Sequence, residues 1–169
     1  MSPPVISIVA RSGTGKTTLL EKLIAEMKRR GYQVGAIKHD AHRLDIDREG
    51  KDSWRLTRAG ADTMLITSPE KLAVIKTYPA GEEPSLAESI NTYFRDVDLV
   101  LTEGFKKSTL PKIEVHRRGC GDKLLCRDEE HDSALIAVAS DCSPLVDVPL
   151  YDINDAPGLC DLIEERYLK

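Results

Sequence analysis

Residues Ala10-Arg-Ser-Gly-Thr-Gly-Lys-Thr17 carry the strongest chemical signal in this chain. They match the phosphate-binding pattern G-x-x-x-x-G-K-[ST], with alanine in the first glycine position. The apolar run Val5-Ile-Ser-Ile-Val9 precedes them and a helical pattern follows, which is the strand–loop–helix setting such a loop needs. Gly13 and Gly15 let the backbone curl so that successive N–H groups face one anion. The helix that begins near Lys16 points its positive dipole end at the same place. In such loops the lysine, here Lys16, reaches the β- and γ-phosphates of a nucleotide, and the hydroxyl of Thr17 holds Mg²⁺. Ala10 is the smallest replacement for a glycine that eases the bend.

A loop of this kind works with an acid at the end of a neighbouring buried strand. The segment Asp98-Leu-Val-Leu-Thr-Glu103-Gly104 offers two candidates. Ligands of open parallel sheets bind at the carboxyl ends of the strands, which favours Glu103 over the strand-entry Asp98. Lys16 and Glu103 are thus the candidate catalytic pair, and Thr17 and Glu103 the candidate Mg²⁺ ligands. Lys38, His39, Asp40 and His42 leave a second strand toward the same edge and read as a substrate loop reaching to Asp52. His39, His42, Asp45 and Asp47 could hold a metal, or with Lys38, Arg43, Lys51 and Arg55 grip a phosphorylated second substrate; a solvated polar loop is the plainer alternative. Asp141, after another apolar run, either accepts the N1–H and N2–H of a guanine or opens a loop; no Asn-Lys-x-Asp motif accompanies it. Arg11 either contacts a phosphate across a dimer or is an exposed loop residue. The spacing of Cys120, Cys126, His116 and His131 is irregular for zinc.

The elements that must position these groups are readable as a βαβ-type series. A helix is expected over 16–30, with Leu20, Leu23, Ile24 and Met27 at helical spacing and Gly31 as its stop. A strand follows over 33–38, then a short helix over 52–59. Thr63–Thr67 and Leu72–Lys76 read as a hairpin that forms an antiparallel part of the sheet. Ser85 and Glu88 have capping-box spacing ahead of a third helix. Strands are expected over 97–102, 112–116 and 134–139, and a closing helix over 154–167. The fold class is α/β: a P-loop NTPase-like, doubly wound, mostly parallel sheet with an antiparallel hairpin extension. The expected organisation is a single P-loop nucleotide-binding domain over residues 1–169.

Composition sets the outer limits. The chain has 169 residues, 41% hydrophobic and 31% charged, as in ordinary globular proteins. Its net charge of −4 argues against non-specific nucleic-acid or membrane binding. No apolar run is long enough to span a bilayer, and strand-forming residues begin immediately after Met-Ser-Pro-Pro, so a cytoplasmic location is expected. The four cysteines make no C-x-x-C pair, which speaks against disulfides and a zinc ribbon.

Several blocks together resemble the molybdopterin-guanine dinucleotide biosynthesis adapter family, MobB. They are Ser12-Gly-Thr-Gly-Lys-Thr-Thr18, Ile37-Lys-His-Asp-Ala-His42, Asp45-Ile-Asp47, Gly50-Lys-Asp-Ser-Trp-Arg55 with Ala59-Gly-Ala61, Glu103-Gly-Phe-Lys106, Pro111-Lys-Ile-Glu-Val-His-Arg117 and Ala137-Val-Ala-Ser-Asp141. The resemblance covers nearly the whole chain. It implies a dimeric P-loop protein that binds GTP with Mg²⁺ and hydrolyses it slowly. It further implies a role in assisting the guanylyltransferase that joins GMP to molybdopterin, alongside other molybdenum-cofactor proteins. Carried over by position, Ser12, Gly13, Thr14, Gly15, Lys16, Thr17 and Thr18 bind the phosphates, and the His39–Asp52 loop lines the site. The loop motif alone leaves open GTP against ATP, a small-molecule kinase, and a nickel- or zinc-delivery GTPase.

Overall fold

Apolar runs of about five residues become the strands of a parallel sheet, and the segments between them supply its covering layers. The structure is a computed structural model that describes residues 2–39, 47–79, 81–121, 123–128 and 131–169. In chain order the elements are β1 (Val5–Val9), α1 (Lys16–Arg29), β2 (Val34–Lys38), α2 (Asp52–Arg58), β3 (Thr63–Thr67), β4 (Leu72–Lys76), α3 (Leu86–Tyr93), β5 (Leu99–Glu103), β6 (Lys112–His116), β7 (Leu135–Ser140), β8 (Leu150–Asp152) and α4 (Ala156–Ile163). A 3₁₀ turn spans Leu125–Arg127, and α4 runs on as a π-helical turn over Glu164–Leu168. The chain divides into two compact units, one of segments 1–39 and 90–169, the other of segment 40–89.

In the first unit six strands pair in the order β2-β5-β1-β6-β7-β8, every neighbour parallel. Alternation along the strands sorts the side chains between two faces. Ile6, Ile8, Leu99, Leu101, Ile113, Val115, Ala137 and Ala139 pack with Leu19, Leu23 and Met27 of α1 and with Leu159 and Ile163 of α4. The intervening positions carry Ser7, Thr102, Lys112, Glu114, His116 and Ser140, all buried, beside Val9 and Val138. The stretch 117–132 is rich in charged residues. The structure lays part of it on this second face, with Leu124 and Cys126 packed against Val9, Leu135 and Val138. Buried polar groups are normally paired, and Ser7, Lys112, Glu114 and Ser140 are, whereas Thr102 Oγ1 finds no partner among the described residues. The Glu114 carboxylate accepts the N–H groups of Leu125 (2.5 Å) and Cys126 (2.9 Å). Lys112, fully buried, donates to the Ser108 carbonyl and pairs with Asp132 at 2.9 Å.

Arg30, just past α1, joins Glu26 to Asp161 and Glu164 of the α4 end, and Tyr32 donates to Glu164 at 2.8 Å. Hydrogen bonds from Arg29 and Arg30 hold the Glu26 carboxyl down to about 2. Gly35 of β2 admits Phe94 so closely that a Cβ there would stand 2.3 Å from its ring.

In the second unit α2 is followed by β3 and β4, an antiparallel pair in full register from Thr63↔Lys76 to Thr67↔Leu72. The pair is a two-stranded sheet of its own, where sequence reading had it as a part of the main sheet. Its turn closes it on itself through Ser68 N–H to the Lys71 carbonyl, 2.8 Å, and Leu65 and Leu72 remain more than half exposed. The Ser85–Glu88 capping box forms as expected, with Ser85 N–H on Glu88 at 2.8 Å and Glu88 N–H on Ser85 at 3.2 Å. The three-residue β8 has no counterpart among the expected elements. All four cysteines are free, and burial pushes the thiols of Cys126 and Cys160 up to about 12.

The Lys112–Asp132 pair yields a stability prediction. Asp132→Ala strands a buried ammonium and also frees the Ala134 N–H that Asp132 accepts, so it should cost about 3 kcal/mol or more. Lys112→Met, which removes the charge and keeps the volume, should cost much less. Thermal or urea unfolding of the two variants checks the order; equal losses would contradict it.

Candidate functional site

The site grows from one bend. Gly13 and Gly15 have φ of 76° and 96°, in the left-handed region where only glycine is unstrained. Gly15 is the N-cap of α1, and neither a side-chain cap nor an acidic residue serves the first turn of that helix. A helix start left this way turns its free N–H groups and positive dipole end toward an external anion. The bend is held from within by Thr14, whose hydroxyl donates to the Arg11 carbonyl at 2.8 Å. The Lys16 ammonium lies along the loop, 3.2 Å from the Arg11 carbonyl and 3.5 Å from that of Ala10. Ser12, Thr17 and Thr18 are exposed.

β5 is the neighbour of β1, and its last residue is Glu103. The Thr17 hydroxyl donates to Glu103 at 2.9 Å, so the loop threonine and the strand-end acid converge. Asp98, at the other end, accepts the Gln33 N–H at 2.7 Å and stays away from this edge. Backbone turns fix the strand end. Gly104 N–H donates to Ile8 and Ser7 Oγ to the Gly104 carbonyl. Phe105 then adopts a positive φ of 55°, uncommon for an aromatic residue. Its ring meets that of His39 at 4.9 Å, and His39 N–H donates to the Glu103 carbonyl. Lys38 pairs in register with Glu103. The carboxyl edge of β2-β5-β1 thus gathers Lys38, His39, Glu103, Lys16 and Thr17.

Other expected residues fall differently. Asp40 and His42, with Arg43 and Asp45, lie outside the described residues. Asp52 opens α2 in the second unit, 3.8 Å from Arg55, and Asp47 there accepts from Ser53 and from Arg48 N–H. Among the described residues no three His, Cys, Asp or Glu side chains gather as metal ligands. Asp141 accepts the Arg118 N–H at 2.9 Å. Arg11 is held inside its own chain, 2.8 Å from Asp128, and packs over Gly121. Arg117 escaped the sequence reading: its Nε donates to the Thr14 carbonyl at 3.1 Å. The available signal was its place directly after the strand β6, at the same edge as the loop.

Residues 5–141 match the family model for molybdopterin guanine dinucleotide synthesis protein B. The chain belongs to the MobB family. It is 43% identical over 167 residues to the molybdopterin-guanine dinucleotide biosynthesis adapter protein of Escherichia coli (strain K12), covering 96% of this chain and 92% of that one. It is 40% identical over 162 residues to the protein of the same name from Haemophilus influenzae, covering 95% and 88%. Among solved structures, a crystal structure of molybdopterin-guanine biosynthesis protein B superposes with a TM-score of 0.75 at 28% identity, over 95% of this chain and 97% of that one. The α/β fold, with its mostly parallel sheet and separate antiparallel pair, is that of the MobB structures.

The site geometry makes Lys16 removable. It makes only two long hydrogen bonds to carbonyls, so Lys16→Ala should leave the unfolding midpoint within a few degrees of wild type while abolishing binding of tripolyphosphate. Calorimetric titration beside a thermal melt checks both; retained anion binding would remove the loop from the account.

Proposed function

We propose that this MobB-family chain is a GTP-binding adapter in the formation of the molybdopterin guanine dinucleotide cofactor. In this reading it assists the guanylyltransferase that attaches GMP to molybdopterin. The observation that carries the reading is the Thr17–Glu103 contact beside the uncapped start of α1. A hydroxyl and a carboxylate are hard oxygen donors of the kind Mg²⁺ takes, and Mg²⁺ usually retains several waters beside them. The residues therefore fit a Mg²⁺–nucleotide, and the bound ion would neutralise charge between the β- and γ-phosphates.

The chain's own residues do the rest. Ser12 to Thr18 wrap the phosphates, with Lys16 laid along them. Asp141 accepts from the guanine edge with the lone pairs that its bond to Arg118 leaves. Lys38 and His39, beside Glu103, are the residues of this edge left for the second substrate or the partner. Among the described residues no glutamine or serine is placed to orient an attacking water, so hydrolysis by the chain alone is slow in this reading. The exposed edge of β3 and β4, with Leu65, Ile66, Leu72 and Val74 uncovered, supports a homodimer built through the hairpin. Among the described residues no helix is long and apolar enough to cross a membrane, and the proposed setting is the cytoplasm.

The test is reconstitution. Purified protein added to the guanylyltransferase, molybdopterin, GTP and Mg²⁺ should raise the yield of guanine dinucleotide cofactor. Glu103→Gln should still bind GTP and should lose most of the Mg²⁺-dependent turnover. Turnover of GTP by the isolated wild-type chain above about one per second, an ordinary enzyme rate, would overturn the adapter reading.

A further inference from the structure

The loop has a second flank. In the order β5-β1-β6, Glu103 ends the strand on one side of β1 and Arg117 follows the strand on the other. Arg117 Nε donates to the Thr14 carbonyl at 3.1 Å, and its Nη2 lies 3.6 Å from the point where a Cβ on Gly15 would stand. The guanidinium thus lies against the glycine that opens α1. It is also fixed from behind. Cys120 N–H donates to the Arg117 carbonyl at 3.0 Å, closing a turn, and Arg118 N–H donates to Asp141 at the end of β7 at 2.9 Å. Among the described residues no carboxylate pairs with Arg117, whereas Arg11 is neutralised by Asp128.

Sidedness decides what such a group meets. A nucleoside triphosphate is a linear molecule with its metal-bound end at the β- and γ-phosphates. Thr17 and Glu103 put that end on the β5 side of the loop. The sugar and base must leave over the other side, toward β6 and β7, where Arg117 and Asp141 stand. A guanidinium is planar, permanently charged and weakly hydrated, and it stacks well on aromatic rings. One N–H is committed to Thr14, so the plane is fixed before a ligand arrives.

We propose that Arg117 is the nucleoside-side contact of the site: its guanidinium packs on the base and sugar of a bound purine nucleotide and does not act on the γ-phosphate. The inference rests on the nucleotide-binding reading above. It makes the loop selective for nucleotides over bare polyphosphate.

The experiment uses the full chain with Mg²⁺ and measures affinity for GTP, GDP and tripolyphosphate in wild type, Arg117→Ala and Arg117→Lys. Base stacking on a side chain predicts that Arg117→Ala weakens GTP and GDP roughly tenfold or more. Tripolyphosphate affinity should stay within about twofold, since stacking on the base contributes nothing to it. Arg117→Lys should recover part of the lost GTP and GDP affinity. An equal loss of tripolyphosphate and GTP would make Arg117 a loop brace or phosphate ligand and overturn the proposal. So would unchanged GTP affinity, or a collapse of turnover with affinity intact. A melt of each variant excludes unfolding, and Arg117→Met, which keeps the stem over Gly15, replaces Arg117→Ala if that variant does not fold. Wild type that binds none of the three ligands would instead defeat the nucleotide reading itself.

Discussion

A helix start with no cap from its own chain is the constraint around which this molecule is arranged. The first N–H groups of an α-helix need acceptors, and most helices supply them from a Ser, Thr, Asp or Asn at the N-cap. α3 and α4 do so here, through Ser85 and through Asp155, which accepts the Gly158 N–H at 2.9 Å. α1 starts instead at a left-handed glycine with no side-chain acceptor. The preceding strand β1 sits in the middle of a parallel sheet, so neighbouring strand ends arrive on both sides. β5 contributes Glu103 to one flank and β6 contributes Arg117 to the other. A carboxylate on one side and a guanidinium on the other give the loop a direction.

The loop also needs support, and the sheet's second face provides it. Lys112 and Glu114 occupy positions where a parallel strand usually carries apolar side chains. They hold down Leu125 and Cys126 by their N–H groups, and Asp132 by its carboxylate. That stretch in turn presents Asp128 to Arg11. The chain of contacts runs from a buried charged strand, through a segment with little regular structure, to the residue beside the phosphate loop.

Much of this was legible in the sequence because each signal was local. The glycine–lysine–threonine register, the apolar strand runs and the Ser85–Glu88 box are patterns over a few residues, and the elements they predicted formed within one or two residues of the expected bounds. The hairpin 63–67 and 72–76 was also visible, but its attachment was not, because strand patterns do not say which edge a strand joins. Alternation along 112–116 does not reveal that Lys112 and Glu114 are buried; that depends on Leu125, Cys126 and Asp132 folding back on them. Arg117 carries no motif of its own, only a place directly after β6. Its contact with Thr14 links residues 103 positions apart, and it emerges only when β6 is placed beside β1. Asp98 precedes β5 and Glu103 ends it, and the rule that ligands gather at carboxyl ends points to the one that meets the Thr17 hydroxyl.

The central claim is that the edge formed by the phosphate loop, Glu103 and Asp141 holds a guanine nucleotide. Calorimetric titration of the wild-type protein with GTP and with ATP, each with Mg²⁺, tests it most directly. The account predicts one nucleotide bound per chain, with GTP clearly preferred over ATP and the affinity falling when Mg²⁺ is withdrawn. Equal or tighter binding of ATP would contradict it, remove Asp141 from the site and return the same loop to a kinase-like role.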